Sequence, residues 1–299
     1  MQVISTTKLP DGWVHREARV NDLRFHYVEA GRGPLVVLLH GFPEFWYSWR
    51  HQIPALVDAG FRVIALDQRG YNTSDKPAGV ANYRIELLVD DVLGIINAAG
   101  ERAAVVIGHD WGGAIAWVLS MKHPEAVRQL IVLNAPHPRR MFEEFRTYSQ
   151  LRKSWYMFFF QLPLLPEWLL QRANYRWIEL ALSRDPVHRG AFTPEDISAY
   201  RAAIARPGAL TAAINYYRAL FQRNLLKLYR EISPIETATL LIWGEQDRYL
   251  GTRFTEGLEA WVSHLTIARI SDASHWIQVD VPDRVNALML EFLRTQPGR

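Results

Sequence analysis

The 299-residue chain contains no cysteine. That absence excludes disulfides, thiolate metal sites and a cysteine nucleophile, and it fits a cytoplasmic address, where bridges are rare. Charge of one sign is also scarce. The 34 Lys and Arg set against 31 Asp and Glu leave a formal net charge of +3, and no run of basic residues exceeds two. So balanced a chain lacks the electrostatic footprint of a nucleic-acid binder. Long hydrophobic runs are missing too. The greasiest stretch, Trp155 to Leu170, is broken by Gln161, Pro163, Pro166 and Glu167, whereas a bilayer span needs about 20 apolar residues. Met1 to Val14 has no basic segment followed by an apolar one, so no cleaved secretion signal is expected. Internal repeats and low-complexity segments are absent as well.

With 49% hydrophobic residues, the chain can bury a core of one large domain, or of one domain carrying an insertion. Short β-branched runs alternate with helical patterns, the signature of βα units around a mostly parallel sheet. Arg16–Val20 and Leu23–Glu29 read as an opening hairpin about Asn21-Asp22. Leu35–Leu39, Arg62–Leu66, Ala104–Ile107 and Gln129–Leu133 are apolar enough to be buried parallel strands. Helices are expected at Ser48–Ala59, Arg84–Ala99 and Trp111–Lys122, with Gly60, Gly100 and His123-Pro124 as stops. From His137 to Glu231 helix formers, Arg and aromatics prevail and no strand is expected. The βα pattern resumes with strands at Ala238–Trp243 and Leu265–Ile270 and helices near Thr252–Val262 and Asp283–Leu293. The expected organisation is a core of residues 1–136 and 232–299 interrupted by a helical cap of residues 137–231.

Gly108-His109-Asp110-Trp111-Gly112-Gly113 follows a strand and opens a helix. This is the context of a nucleophile elbow, in which small neighbours allow a sharp turn that presents the central side chain to a pocket. Here that residue is Asp110, and no serine sits in such a frame. The competing reading makes Asp110 a simple helix N-cap. His40-Gly41-Phe42-Pro43 leaves the end of Leu35–Leu39, the sheet edge where open α/β sheets assemble sites. The backbone N–H groups of Phe42 and Trp111 are the candidates for an oxyanion hole, while His40, Gly41 and Pro43 read as the structure of the loop. Asp247 lies just past the strand ending at Trp243, and His275 five residues beyond Ile270. The order nucleophile, acid, histidine is that of an α/β-hydrolase triad. Asn134 follows Gln129–Leu133, another place for the acid, but an amide cannot serve. Asp272 and Asp280 are weaker candidates because neither ends a strand ahead of the histidine loop.

An aspartate nucleophile narrows the chemistry. A carboxylate with an ordinary pKa near 4 is ionised at neutral pH and needs no activating base. Displacement at a saturated carbon then gives an alkyl ester, which His275 can help water to cleave. Epoxides and alkyl halides are the matching electrophiles.

On His40-Gly41-Phe42-Pro43-Glu44-Phe45-Trp46-Tyr47-Ser48-Trp49-Arg50, Asp67-Gln68-Arg69-Gly70-Tyr71, the Asp110 elbow and the Asp247 and His275 loops, the chain resembles soluble epoxide hydrolases of the α/β-hydrolase superfamily along nearly its whole length. The resemblance implies two cap tyrosines that hydrogen-bond the epoxide oxygen, mapped to Tyr156 and to Tyr217, with Tyr216 adjacent as the rival for the second. Neighbours on a helix point about 100° apart, so one of the pair should face the pocket. Phe42, Trp111, Met157, Phe158 and Phe160 are expected to line a pocket for a small apolar epoxide, with water as co-substrate and neither cofactor nor metal. A haloalkane or haloacid dehalogenase on the same scaffold is the alternative. Against it, Phe42 replaces the Asn common in haloalkane relatives, Trp111 replaces the Arg of fluoroacetate-type relatives, and Tyr156 stands at their His. A non-catalytic binding module is a remote third reading. Either a monomer or a homodimer is compatible with the sequence.

Overall fold

The computed structural model describes residues 9–222 and 230–295. Strands β1 (Trp13–Val20) and β2 (Leu23–Gly31) form the opening hairpin, in register Val20 to Leu23. Asn21 and Asp22 both take positive φ, 50° and 62°. A two-residue turn of that hand matches the twist of its strands, and Asn and Asp tolerate it better than other residues with side chains. Then follow β3 (Leu35–Leu39), β4 (Arg62–Leu66), β5 (Ala104–His109), β6 (Val127–Leu133), β7 (Thr239–Gly244) and β8 (Leu265–Ile270). They make one eight-stranded sheet in the order β1-β2-β4-β3-β5-β6-β7-β8. Only the β1–β2 and β2–β4 pairings are antiparallel. Covering a parallel sheet on both faces demands apolar residues at successive positions rather than alternate ones. Accordingly every residue of β3 and β7 is buried.

Strand β3 has β4 on one side and β5 on the other. The strand order thus reverses there, and the loops after β3 and β5 border the crevice in which doubly wound sheets bind ligands. Helices α1 (Gln52–Asp58), α2 (Ile85–Ala98) and α3 (Trp111–Lys122) pack on the sheet, as does the closing helix Pro282–Thr295. Two expected helices are corrected. Ser48–Ala59 is a 3₁₀ turn, Trp46–Trp49, followed by α1. Pro54 lies in the first turn of α1, the part of a helix that needs no N–H from it. Thr252–Val262 is helical only as a 3₁₀ turn at Thr252–Thr255. Gly257 at φ +64° ends the helical path, and Val262 is drawn into a bridge with Ile235.

Between β6 and β7 the chain forms α4 (Pro138–Glu144), α5 (Tyr148–Lys153), α6 (Trp155–Phe159), α7 (Leu165–Arg184), α8 (Pro194–Ile204) and α9 (Ala209–Phe221), and no strand among the described residues; α7 is broken by a kink at Arg172 to Tyr175, where Ala173, Asn174 and Tyr175 take positive φ. Residues 223–229 of the expected helical block lie outside those described. Helix α8 starts with a reciprocal capping box between Thr193 and Asp196, with Pro194 at its first position, a start worth about 1 kcal/mol. The block is fastened to the sheet's crevice edge by polar contacts. Arg50 pairs with Asp196 at 2.9 Å, Ser48 hydrogen-bonds the Tyr200 hydroxyl at 2.9 Å, and Tyr216 donates to the Arg69 carbonyl at 2.7 Å. The Asp280 carboxylate accepts from the Val187 and His188 amides at 3.0 and 2.8 Å. Among the described residues no helix is long and apolar enough to cross a membrane.

Candidate active site

Asp110 joins β5 to α3 at φ 50°, ψ −119°. A residue with a Cβ rarely adopts such a backbone, and where it does the surroundings must hold it there. Two glycines make the turn possible. A Cβ on Gly112 would strike the Leu39 carbonyl, and one on Gly41 would strike the Asp110 carboxylate. The loop after β3 can therefore close on the elbow. The Asp110 side chain makes no capping hydrogen bond to α3; its Oδ1 instead accepts from the Phe42 N–H at 2.8 Å. The helix-cap reading of Asp110 falls on that geometry. The Trp111 N–H is the first amide of α3, which no carbonyl within the helix can claim.

His275 Nε2 lies 3.7 Å from Asp110 Oδ2, and His275 Nδ1 lies 2.7 Å from Asp247 Oδ2. The loops after β5, β7 and β8 thus meet at one sheet edge. Asp247 is fully held: Oδ1 accepts from the Tyr249 and Leu250 amides at 2.7 and 2.8 Å, and Oδ2 also accepts from Asn134 Nδ2 at 2.8 Å. Burial opposes its charge, but His275 and these donors keep its pKa below the usual carboxylate range. For His275, burial disfavours the imidazolium, yet Asp247 by charge and hydrogen bond, then Asp110 and Glu44 by charge, lift the pKa to about 9.

Beneath His275 lies a buried polar set. His109 Nδ1 is 2.6 Å from Glu44 Oε2, and its Nε2 meets the His275 carbonyl at 2.9 Å. Glu44 also accepts from the Gly41 N–H at 2.8 Å and from Gln278 Nε2 at 2.8 Å. Burial penalises the Glu44 charge, but His109 by charge and hydrogen bond, then the Gly41 N–H and His40, pull its pKa down to about 2. The pair ties the β3 loop to the histidine loop. His40 is completely buried, its Nδ1 donating to the Gly41 carbonyl at 2.9 Å while Nε2 accepts from the Gln68 N–H at 3.2 Å. Both ring nitrogens are used by the backbone. Burial first of all holds its pKa below the ordinary value.

Opposite the carboxylate stand two tyrosines. Tyr217 packs edge-on against Phe42, Trp111, Tyr156 and Phe160, with ring centroids 5.1 to 5.8 Å apart. The Trp111 and Tyr156 rings are thus its immediate neighbours. Burial, followed by neighbouring negative charge that includes Asp110, pushes both phenol pKa values well above normal. They stay protonated. The Tyr216 hydroxyl points elsewhere: it is spent on the Arg69 carbonyl, and its ring lies against Tyr71, Tyr83 and the edge of Trp111.

The family described as alpha/beta hydrolase fold matches residues 34–282. The chain belongs to this family. This α/β hydrolase is 45% identical over 290 residues to the AB hydrolase superfamily protein YfhM of Bacillus subtilis, covering 96% of the chain and all of that protein. It is 40% identical over 301 residues to epoxide hydrolase 4 of Mus musculus, covering 97% of the chain and 82% of the relative. Among solved structures, an epoxide hydrolase from Bacillus megaterium in complex with an inhibitor superposes at TM-score 0.85 with 33% identity, over 93% of this chain and all of the other.

One expected pocket residue of the hydrolase is misplaced. Phe158 is 47% exposed and packs on Phe221, outside the site. In α6 Tyr156, Met157 and Phe160 fall within one arc of the helical wheel and Phe158 falls opposite it. Met157 and Phe160 are buried, and Phe160 contacts Phe42 at 5.6 Å. Trp177, which sequence reasoning passed over, stacks flat on Phe42 with centroids 5.7 Å apart and planes at 12°. Tyr249, also passed over, lies 5.2 Å from His275 and 5.8 Å from Tyr156, ring to ring. Asn134, set aside as an amide, clamps Asp247: its Oδ1 accepts from the Gly244 N–H at 2.9 Å while its amide holds the Asp247 carboxylate. Its place after β6, on the edge that carries the other loops, was the available signal. Asp272 is exposed and paired with Arg284, and Asp280 is spent on backbone amides, 2.8 Å from that of Ser274.

Proposed function

We propose that this chain hydrolyses epoxides to vicinal diols through a covalent ester on Asp110, with residues 137–231 acting as the cap. The observation that carries the reading is a pair of protonated tyrosines in edge-on ring contact near the elbow carboxylate, whose charge helps to raise both phenol pKa values. An opening epoxide needs a proton donor at its oxygen, and a phenol held neutral can hydrogen-bond an oxygen that is becoming an alkoxide. A halide, by contrast, needs weak donors free to receive it, and here the Trp111 ring is packed edge-on against Tyr216 and Tyr217.

The Asp110 carboxylate attacks a ring carbon. The C–O bond of the epoxide breaks toward Tyr156 and Tyr217, one of which supplies the proton. Asp110 is then a neutral ester, and one of the negative charges that raise the pKa of His275 has gone. The imidazolium then gives its proton up more readily, and that proton restores the tyrosinate left by ring opening. The neutral imidazole takes a proton from water, whose oxygen adds to the ester carbonyl carbon. The Phe42 N–H, 2.8 Å from Asp110 Oδ1, and the unclaimed Trp111 N–H receive the oxyanion that forms. Asp247 stabilises the imidazolium; collapse breaks the bond between the carboxyl carbon and the diol oxygen, which takes the imidazolium proton, and the Asp110 carboxyl returns its own proton to His275 and is a carboxylate again. Epoxide hydrolases are among the relatives and the structural neighbours, which supports the same reaction. The aromatic walls suit a small apolar epoxide.

Turnover of styrene oxide, a short bromoalkane and an aryl ester by the purified chain tests the assignment. The diol should form from styrene oxide at a rate far above halide release from the bromoalkane. Halide release as the dominant activity, or ester hydrolysis alone, overturns it.

A further inference from the structure

Helix α6 carries two apolar stripes rather than one. Tyr156, Met157 and Phe160 face inward, while Trp155, Phe158 and Leu162, at i, i+3 and i+7, are exposed on the opposite side with the half-buried Phe159 at i+4 between them. A surface helix normally gives that outer face to polar residues. At the start of α7 the pattern recurs: Leu165, Trp168 and Leu169 occupy i, i+3 and i+4, and all three are exposed. Leu164 stands at the turn between the helices. It is 79% exposed and adopts φ +61°, a conformation for which glycine or asparagine is usual. The chain therefore presents a large aliphatic side chain to solvent where neither packing nor backbone preference asks for one. Trp155 and Trp168 are 64% and 52% exposed. Soluble monomers seldom leave so many large apolar side chains together in water unless something covers them.

Charge indicates what covers them. Between Thr147 and Ile178 the only acidic residue is Glu167, which is buried and paired with Arg218 at 2.6 Å. The exposed charges of the segment are thus cationic: Arg152, Arg172 and Arg176. The Arg172 guanidinium lies 3.7 Å above the Trp168 ring, so one cation sits at the level of an exposed indole. Apolar side chains for an acyl layer, tryptophans for its boundary and arginines for the phosphate plane are the complement of an anionic bilayer surface.

We infer that the outer face of the α6–α7 hairpin docks onto anionic phospholipid membranes, lying on the surface without crossing it. If the reaction proposed above holds, such seating brings the helix that carries Tyr156 next to the phase in which apolar epoxides dissolve.

Cosedimentation of the full-length protein tests the docking, using extruded vesicles of phosphatidylcholine alone and of equimolar phosphatidylcholine and phosphatidylglycerol, without substrate. The protein should favour the anionic vesicles by at least about tenfold and lose that preference in high salt. A triple variant, Trp155→Ser, Leu164→Asp and Trp168→Ser, should bind at least about tenfold more weakly while keeping its circular dichroism and its hydrolysis of a water-soluble epoxide. The paired variant Arg172→Glu, Arg176→Glu should lose the preference for phosphatidylglycerol. Equal binding to the two vesicle types, or no binding to either, overturns the inference. A wild-type dimer in sedimentation velocity that the triple variant splits, with no vesicle binding, assigns the face to a second copy of the chain and overturns it as well. Vesicle binding and hydrolysis are read separately, so failure of one leaves the other standing.

Discussion

The Nε2 of His275 lies 3.7 Å from Oδ2 of Asp110, beyond hydrogen-bond range but close enough for the aspartate's charge to help raise the histidine's pKa to about 9. In the free enzyme the imidazole is therefore protonated at neutral pH, and its release as a base is linked to what happens at Asp110. Removing that charge by Asp110→Asn should lower the His275 pKa, read by NMR titration of the imidazole. The linkage has a definite sign. A histidine whose pKa rises from 6.5 to about 9 on folding stabilises the fold fully below pH 6.5, and that contribution disappears as the pH climbs through 9. Urea midpoints should accordingly fall between pH 6.5 and 9, and by less in Asp110→Asn. An unchanged His275 titration in the variant would remove the coupling.

The two half-reactions should separate by mutation. His275→Gln keeps Asp110 and its Phe42 contact but cannot activate water. Exposed to styrene oxide, it should stop at one alkyl adduct per chain, seen as a mass increase mapping to the peptide that contains Asp110. Asp110→Ala should show neither adduct nor turnover. Wild-type turnover by the histidine variant would show that another group is the base.

For the ring-opening step, loss of either the Tyr156 or the Tyr217 hydroxyl leaves the other as donor. Each Phe variant should slow formation of the ester by roughly ten- to a thousandfold, measured in single turnover. The double variant should be nearly inactive yet folded. Tyr216→Phe is the internal comparison. Its hydroxyl serves the Arg69 carbonyl, so that variant should lose about 1 kcal/mol of stability with little change in rate. A larger kinetic defect there than in Tyr217→Phe would reverse the two assignments.

That comparison also marks where sequence reasoning stopped. Strands β3 to β7 could be read because parallel strands buried on both faces must be apolar throughout, whereas the edge strand β8 buries only Ile270 fully. The elbow could be read because its backbone leaves glycine alone at positions such as Gly112, whose Cβ would collide with Leu39. Tyr216 and Tyr217 could not be told apart from the chain, since both are buried aromatics on one helix and only the neighbours, Arg69, Tyr71 and Tyr83 for one and Phe42, Tyr156 and Phe160 for the other, divide them. Phe158 was misjudged for a related reason. An apolar run in a cap helix is read as lining, yet α6 bears apolar residues on both faces. The clamp of Asn134 on Asp247 joins residues 113 positions apart, a distance at which local pattern carries no information.

The Glu44–His109 pair is a second point at which pH should act. A glutamate whose pKa falls from 4.5 to about 2 on folding stabilises the protein above pH 4.5 and loses that contribution as the pH drops through 2. The difference corresponds to roughly 3 kcal/mol. Glu44→Gln should flatten the acid limb of the stability curve between those values, followed by urea denaturation. An acid limb of unchanged steepness would place the titrating group elsewhere.

The origin of the diol's new oxygen distinguishes an ester on Asp110 from direct attack of water activated by His275. Mutants can mislead here, because both routes use the same residues in some role. In the ester route the first diol takes its oxygen from the Asp110 carboxylate, and water then adds to the carboxyl carbon, so the carboxylate is refilled from solvent. With enzyme in excess over epoxide in ¹⁸O-water, the diol of the first turnover should be largely unlabelled and the peptide holding Asp110 should gain heavy oxygen. Under many turnovers the diol itself should become labelled, because each product carries away an oxygen that the previous cycle took from water. A fully labelled first diol with no label on Asp110 would mean direct hydration. Asp110, 3.7 Å from His275, would then act by holding the imidazolium in place rather than by bonding to carbon.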